Sequence, residues 1–175
     1  QALARSAITF EDLGPGQGAC PVIAERGRAL ASPAIVAVNR IDADARTLEV
    51  RSVAGLEPAA QAAVREILGR DPGGLTLPIA WEGVMEALLG GRLAEVPGGL
   101  YGAMLGQVPQ AACDRICQIT GIRRAFSVGL RQGGRLLGSV TFLRQTNTDP
   151  DADLLEAFAS QAAVALQRTL AEDAA

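Results

Sequence analysis

The chain has 175 residues, 49% hydrophobic and 20% charged, with a formal net charge of -3, which suits one soluble domain better than two. It contains no His, and its 16 basic residues are all Arg. Without imidazole or a lysine ammonium there is no Ser-His-Asp or Cys-His nucleophile pair, no histidine metal ligand, no P-loop lysine and no Schiff base, so most enzyme classes are excluded.

Read in chain order, Ala2 to Ile8 is a short apolar helix, set off by the Gly14 to Gly18 break. Val22, Ile23, Arg26 and Leu30 then recur at helical spacing. Ala34 to Val38 is a β-branched run, and after the turn-rich Asp42 to Ala45 segment a second strand covers Thr47 to Leu56. There Leu48, Val50, Ser52 and Ala54 alternate with Glu49, Arg51 and Val53. Pro58 suits the first turn of a helix that Gly69 ends. A small strand over Leu75 to Ile79, a helix from Glu82 to Leu89 and a strand around Leu93 to Val96 follow. The Pro97 to Gly102 crossing reads as mobile and irregular. Helix resumes from Pro109 to Thr120.

Arg124 to Arg131 and Arg135 to Arg144, joined through Gly133 and Gly134, form the clearest unit, a hairpin with a primed turn. Pairing Gln132 with Arg135 and counting back strictly puts Phe126, Val128, Leu130, Leu137, Ser139, Thr141 and Leu143 on one face. Ala125, Ser127, Gly129, Gly138, Val140 and Phe142 take the other, and neither face looks solvated, so the hairpin belongs mid-sheet. The last helix, capped by Thr148 or Asp149, carries Leu154, Leu155, Phe158, Ala162, Ala165, Leu166 and Leu170 on one broad stripe.

The run Phe126 to Leu143, followed by Asp149 to Leu166, resembles the closing half of a GAF domain: strand, Gly turn, a Gly-x-Val-x-Phe strand and an acidic-capped helix rich in Leu and Ala. The upstream order of elements fits from about Cys20. Arg92 to Leu100 is similar to the version found in bacterial sensor histidine kinases. The resemblance implies an α/β (α+β) fold: a central antiparallel sheet of about six strands, terminal helices on one face, and short helices and loops enclosing a small-molecule pocket on the other. The Asn-Lys-x-Phe-Asp-Glu signature of cyclic-nucleotide-binding relatives is missing. The His used by bilin- and haem-binding relatives is missing too, so the cofactor is left unknown.

Several side chains then become candidates for lining that pocket. Ser139 and Thr141, on an otherwise apolar face with Phe126 and Val128, either orient a guest or bond within the protein. Trp81, Met85, Tyr101 and Met104 lie in or beside Gly- and Pro-rich connections, and read either as a lid or as plugs for the open side of a small core. Cys113 and Cys117 share a helical face, as buried core thiols or as a redox pair of the kind that GAF-fold methionine sulfoxide reductases use.

The expectation is a single sensory domain over 1–175, with an N-terminal helix and loop over 1–18 and a signalling and dimerisation helix over 148–175. It opens on Gln and reads as a cytoplasmic piece of a longer signalling protein, a sensor histidine kinase, with an output domain elsewhere in the chain. An unidentified small molecule and a second copy, paired through the terminal helices at Ala159 and Ala163, are the expected partners. A sequence pI near 5.0 with scattered Arg, and no long apolar run, give no expectation of nucleic acid or membrane contact. A ligand-free dimerisation or spacer module is the alternative, and the reductase a further one.

Overall fold

The computed structural model describes residues 18–80 and 83–174. The expected helix over Ala2 to Ile8 lies outside them. In order, the elements are α1 (Ala19–Ala31), β1 (Ala34–Asp42), β2 (Thr47–Ala54), α2 (Pro58–Leu68), β3 (Thr76–Pro78), α3 (Val84–Leu89), β4 (Ala94–Glu95), α4 (Leu100–Ala103), α5 (Gln110–Thr120), β5 (Arg124–Gln132), β6 (Arg135–Arg144) and α6 (Ala152–Ala174). The strands form one six-stranded sheet in the order β3-β2-β1-β6-β5-β4, antiparallel throughout. This is the anticipated fold class. The Pro97 to Gly102 crossing contains the start of the short helix α4.

Helices α1 and α6 cover one face. Their core holds Ile23, Val36, Val38, Val128, Leu130, Val140, Phe142, Leu155, Phe158 and Leu166. Gly27 permits the close approach of α1: a Cβ there would come within 3.3 Å of Phe158 and Val36. The other face is covered in two smaller clusters. Val64, Leu100, Cys113 and Ile116 pack over Ile35, Ala125 and Leu143, while Leu77 and Leu88 pack with Ile41, Leu48, Val50 and Leu136.

Two β-bulges overturn the strict alternation read from the sequence. In β6, Arg131 pairs with Leu136 but Leu130 pairs with Gly138, so Leu137 is an extra residue. Beyond it, Phe126, Val128 and Leu130 share a face with Gly138, Val140 and Phe142, while Ala125, Ser127 and Gly129 share the opposite face with Ser139, Thr141 and Leu143. In β2, Val38 pairs with Ser52 and Asn39 with Val50, leaving Arg51 extra. Leu48 and Val50 therefore face away from Ser52 and Ala54.

The chain entering α6 also differs from expectation. The cap is Asp151, whose Oδ1 accepts the Leu154 N–H at 3.2 Å. Thr148 Oγ1 instead accepts from Arg144 Nη2 at 2.9 Å, and Asp149 takes an ion pair with Arg124 at 2.8 Å. Arg144 is buried, and its Nη1 donates to the Ala31 carbonyl at 2.7 Å, placing a cation at the negative end of α1.

Because Phe158 is fully buried between α1 and the sheet, Phe158→Ala should cost about 3–5 kcal/mol in urea unfolding. A loss below about 1 kcal/mol would mean that α6 is not seated on this face.

Candidate functional site

On the face opposite α1 and α6, the sheet does not meet a long helix, and a cavity of about 570 Å3 remains. Its floor is Leu48 of β2, Ser127 of β5, and Ser139 and Thr141 of β6. Its walls come from Val84, Ala87 and Leu88 of α3, from Arg92 to Gly98 around β4, and from Tyr101, Ala103 and Leu105. The volume is typical of small-molecule sites, and the lining is mainly apolar.

Two backbone approaches define the walls. A Cβ at Gly129 would collide with the Leu88 carbonyl, so its absence lets the C-terminal end of α3 rest on β5, where Arg131 Nη1 also donates to the Leu89 carbonyl at 2.9 Å. Gly102 leaves the same kind of room for the Pro97 carbonyl, folding the 97–102 segment back upon itself.

Beside the floor, on the same face of the sheet, lies a polar group that the sequence reading missed. Asn39 of β1 is 3% exposed, and its Nδ2 donates to Ser139 Oγ at 3.1 Å and to Thr141 Oγ1 at 3.2 Å. Asn39 and Ser139 are directly opposed across β1 and β6, with Thr141 diagonal to them. A lone amide inside the apolar run Ala34 to Ile41 was the available signal, since a buried amide is normally bonded.

Glu95 and Arg124 were missed as well. Arg124 Nε and Nη2 donate to the two Glu95 carboxylate oxygens at 2.9 and 2.8 Å. Its Nη1 donates to the Asn147 carbonyl at 2.8 Å, and its guanidinium lies 4.9 Å from the Phe126 ring centroid. The hydrogen bond from Arg124 holds the Glu95 carboxyl below the usual range, and bonds to Glu95 and Asp149 push Arg124 upward. Closer to α6, the Leu93 N–H donates to Glu156 Oε2 at 2.8 Å.

Of the expected ligand contacts, the cavity gathers Tyr101, Ser139 and Thr141. Met104 lines an adjacent apolar void of about 80 Å3 with Ile35, Ala37 and Leu143. Met85 lies on the outer side of α3, over a groove shared with Arg40 and Asp42. Phe126 and Val128 belong to the core under α1 and α6, because the Leu137 bulge turns them from the cavity. Trp81 lies outside the described residues.

Among the described residues no cysteine lines the cavity. Burial, with Cys117 and Asp114 nearby, pushes the Cys113 thiol up to about 11, and its Sγ sits 3.8 Å from the Val108 carbonyl. Burial raises Cys117 and Cys20 too. All three cysteines are free thiols, and among the described residues no cluster of His, Cys, Asp and Glu could hold a metal ion.

No protein-family model and no curated protein matches the sequence. Solved structures do match in shape. The GAF domain of an Acinetobacter phosphoenolpyruvate-protein phosphotransferase superposes with a TM-score of 0.60 at 9% identity, over 97% of this chain and 93% of that one. The fold is GAF-like. The chromophore-binding domain of Stigmatella aurantiaca phytochrome P1 gives 0.61 at 17% identity, over 95% of this chain and 58% of that one. That of an unusual bacteriophytochrome from R. palustris gives 0.61 at 12%, over 99% and 61%. This GAF-like chain thus spans about three fifths of the two phytochrome structures.

Gly129→Ala should displace α3 from β5 and cost about 1–3 kcal/mol by denaturant titration; an unchanged midpoint would show that Leu88 does not rest there. The Cys113 thiolate absorbance, isolated by comparison with Cys113→Ser, should develop near pH 11. Titration below the ordinary thiol value of about 8.5 would restore a reactive cysteine.

Proposed function

We propose that this GAF-like domain is a non-catalytic sensory input of a larger signalling protein. It binds a small molecule in the cavity above Ser139 and Thr141 and passes the bound state to α6. The observation that carries this reading is the attachment of one cavity wall to α6 at two places. Leu93 bonds directly to Glu156 within the helix, and Glu95 is linked through Arg124 to Asp149 ahead of it. A guest that moves the 92–97 wall therefore pulls on both sides of the helix start. Such a guest shifts the output only to the extent that it prefers one position of that wall.

A sensor histidine kinase in a reducing, cytoplasmic setting is the parent this reading favours, since the cysteines are free and the family resemblance lies there. Among the described residues no helix is long and apolar enough to cross a membrane. A homodimer through α6 is part of the proposal, but its seam moves. Ala159 and Ala163 are 2% and 1% exposed in the protomer's own core, whereas Val164, at 52%, stands with Ser160, Gln161 and Gln167 on the uncovered side.

The test is a thermal-shift screen of the purified chain, with mass spectrometry for co-purified molecules. A true ligand at a hundred times its Kd adds about 2.7 kcal/mol, and a chain that no compound stabilises and that carries none is a ligand-free module. Hydrogen exchange then reads the coupling. A ligand found this way should change exchange in residues 149–156 of the natural chain, and Arg124→Gln should remove the part of that change at the helix start, near Asp149, while leaving binding in place.

The Glu95 contact also has a pH signature. Its carboxyl is held below the ordinary 4.5, so the contribution is complete above that value and is lost as pH falls through the lowered folded value. Amide protection at residues 94–96 should therefore hold down to about pH 4.5 and fall below it. Loss of protection already at neutral pH would remove the link.

A further inference from the structure

Resting on the ligand-binding reading above, we infer that the cavity takes a neutral, mainly apolar molecule that presents a hydrogen-bond acceptor of the carbonyl type to Ser139 and Thr141. The polarity of the floor is set from the neighbouring strand β1. An asparagine amide nitrogen has two protons, and Asn39 directs one to each hydroxyl oxygen. A hydroxyl that accepts still has its own proton to donate. Among the described residues no protein group accepts the Ser139 or Thr141 proton. Both side chains are more than nine-tenths buried, at 1% and 7% exposed, and both line the cavity. Ser127 beside them is different, because its Oγ donates to the Val140 carbonyl at 3.4 Å. The floor therefore offers two adjacent donors, and a buried donor without a partner favours a guest that brings an acceptor.

Charge on the guest is opposed by the rest of the lining. Among the described lining residues only Arg92 and Glu95 are charged. The Arg92 side chain is 84% exposed and leans toward Glu156 at 3.7 Å, so it reaches out of the cavity. Glu95 is engaged by Arg124 through both oxygens, which leaves a cation no free carboxylate. A carboxylate or phosphate carried to the floor would meet hydroxyls and apolar side chains without a cation.

Four probes of similar shape separate the possibilities by calorimetric titration of the purified chain: benzophenone (acceptor), diphenylamine (donor), diphenylmethane (neither) and 2-benzoylbenzoate (acceptor plus charge). Benzophenone should bind about tenfold tighter than diphenylmethane or diphenylamine, the worth of roughly one net hydrogen bond, and 2-benzoylbenzoate more weakly than benzophenone. In the Ser139→Ala, Thr141→Val double variant the benzophenone advantage should vanish while diphenylmethane keeps its Kd. Asn39→Asp should transfer the advantage to diphenylamine, because a carboxylate would accept both hydroxyl protons and leave their oxygens facing the guest. If that variant fails to fold, the double variant still decides. Equal binding of all four overturns the acceptor rule and leaves the cavity reading standing. Preference for diphenylamine or for 2-benzoylbenzoate in the natural chain overturns the inference outright. Absence of binding by every probe overturns both the inference and the ligand-binding reading.

Discussion

The single extra residue at Leu137 decides what each side of the sheet is made of. Side chains in a strand alternate with period two, so one inserted residue exchanges the faces of everything beyond it. With the bulge, the Phe126–Phe142 and Val128–Val140 pairs all turn toward α1 and α6, and Ser127, Ser139 and Thr141 collect on the opposite face. Without it, two hydroxyls would stand on the same face as Phe126 and Val128, and neither a dry core nor a polar floor would be complete. The geometry needs Gly138 directly after the bulge, because the Asn39 carbonyl of β1 occupies the space a Cβ would take. The Arg51 bulge does the same work in β2, sending Leu48 to the cavity and Ser52 toward α1.

The two faces are held by different physics. Under α1 and α6 the contacts are apolar and fully buried, and Gly27 with the alanines of α6 bring the helices down onto the sheet. Over the cavity the cover is short: α3 has 6 residues, α4 has 4 and β4 has 2. Its outer wall is held by the short β4–β5 pairing, by packing of Leu93 and Val96, and by the polar contacts of Leu93 to Glu156 and Glu95 to Arg124. Local opening is expected in segments with few buried apolar contacts. On the proposed sensory reading, the extensively packed face under α1 and α6 and the short cover over the cavity give the mechanical asymmetry that a response needs.

Much of this was legible in the sequence. The element order, the Gly133–Gly134 turn and the terminal helices follow from periodicity and glycine placement, and the Phe126 to Leu166 run carries the family resemblance. Face assignment was not legible, because a bulge leaves no mark in composition: Leu136-Leu137 reads as two ordinary strand residues, and counting back from the turn then misplaces Phe126 and Val128. Asn39 escaped notice since its meaning depends on Ser139, 100 residues away, lying opposite. The Asp149 and Thr148 caps were wrong for a related reason. Arg124 of β5 claims Asp149, Arg144 at the end of β6, held by the Ala31 carbonyl, claims Thr148, and Asp151 is left to cap. Local chemistry proposes partners, and tertiary contacts reassign them.

In the proposed sensor a bound molecule acts without being transformed. No cysteine is among the described residues that line the cavity and the chain has no imidazole, so on that reading a guest acts by changing the relative stability of two arrangements of the surrounding backbone. On the same reading, hydroxyl donors on the β6 floor hold one end of the guest, and the guest's body presses against the wall around β4. That wall meets α6 on either side of the helix start, at Asp149 through Arg124 and at Glu156 through Leu93. Floor and wall are therefore joined through the guest, and wall and helix through hydrogen bonds. In the proposed sensor, specificity lies in the floor and response in the wall, and substitutions should divide the two: changes at Asn39, Ser139 and Thr141 alter which molecule is held, while changes at Arg124 and Glu156 alter what its binding does to α6.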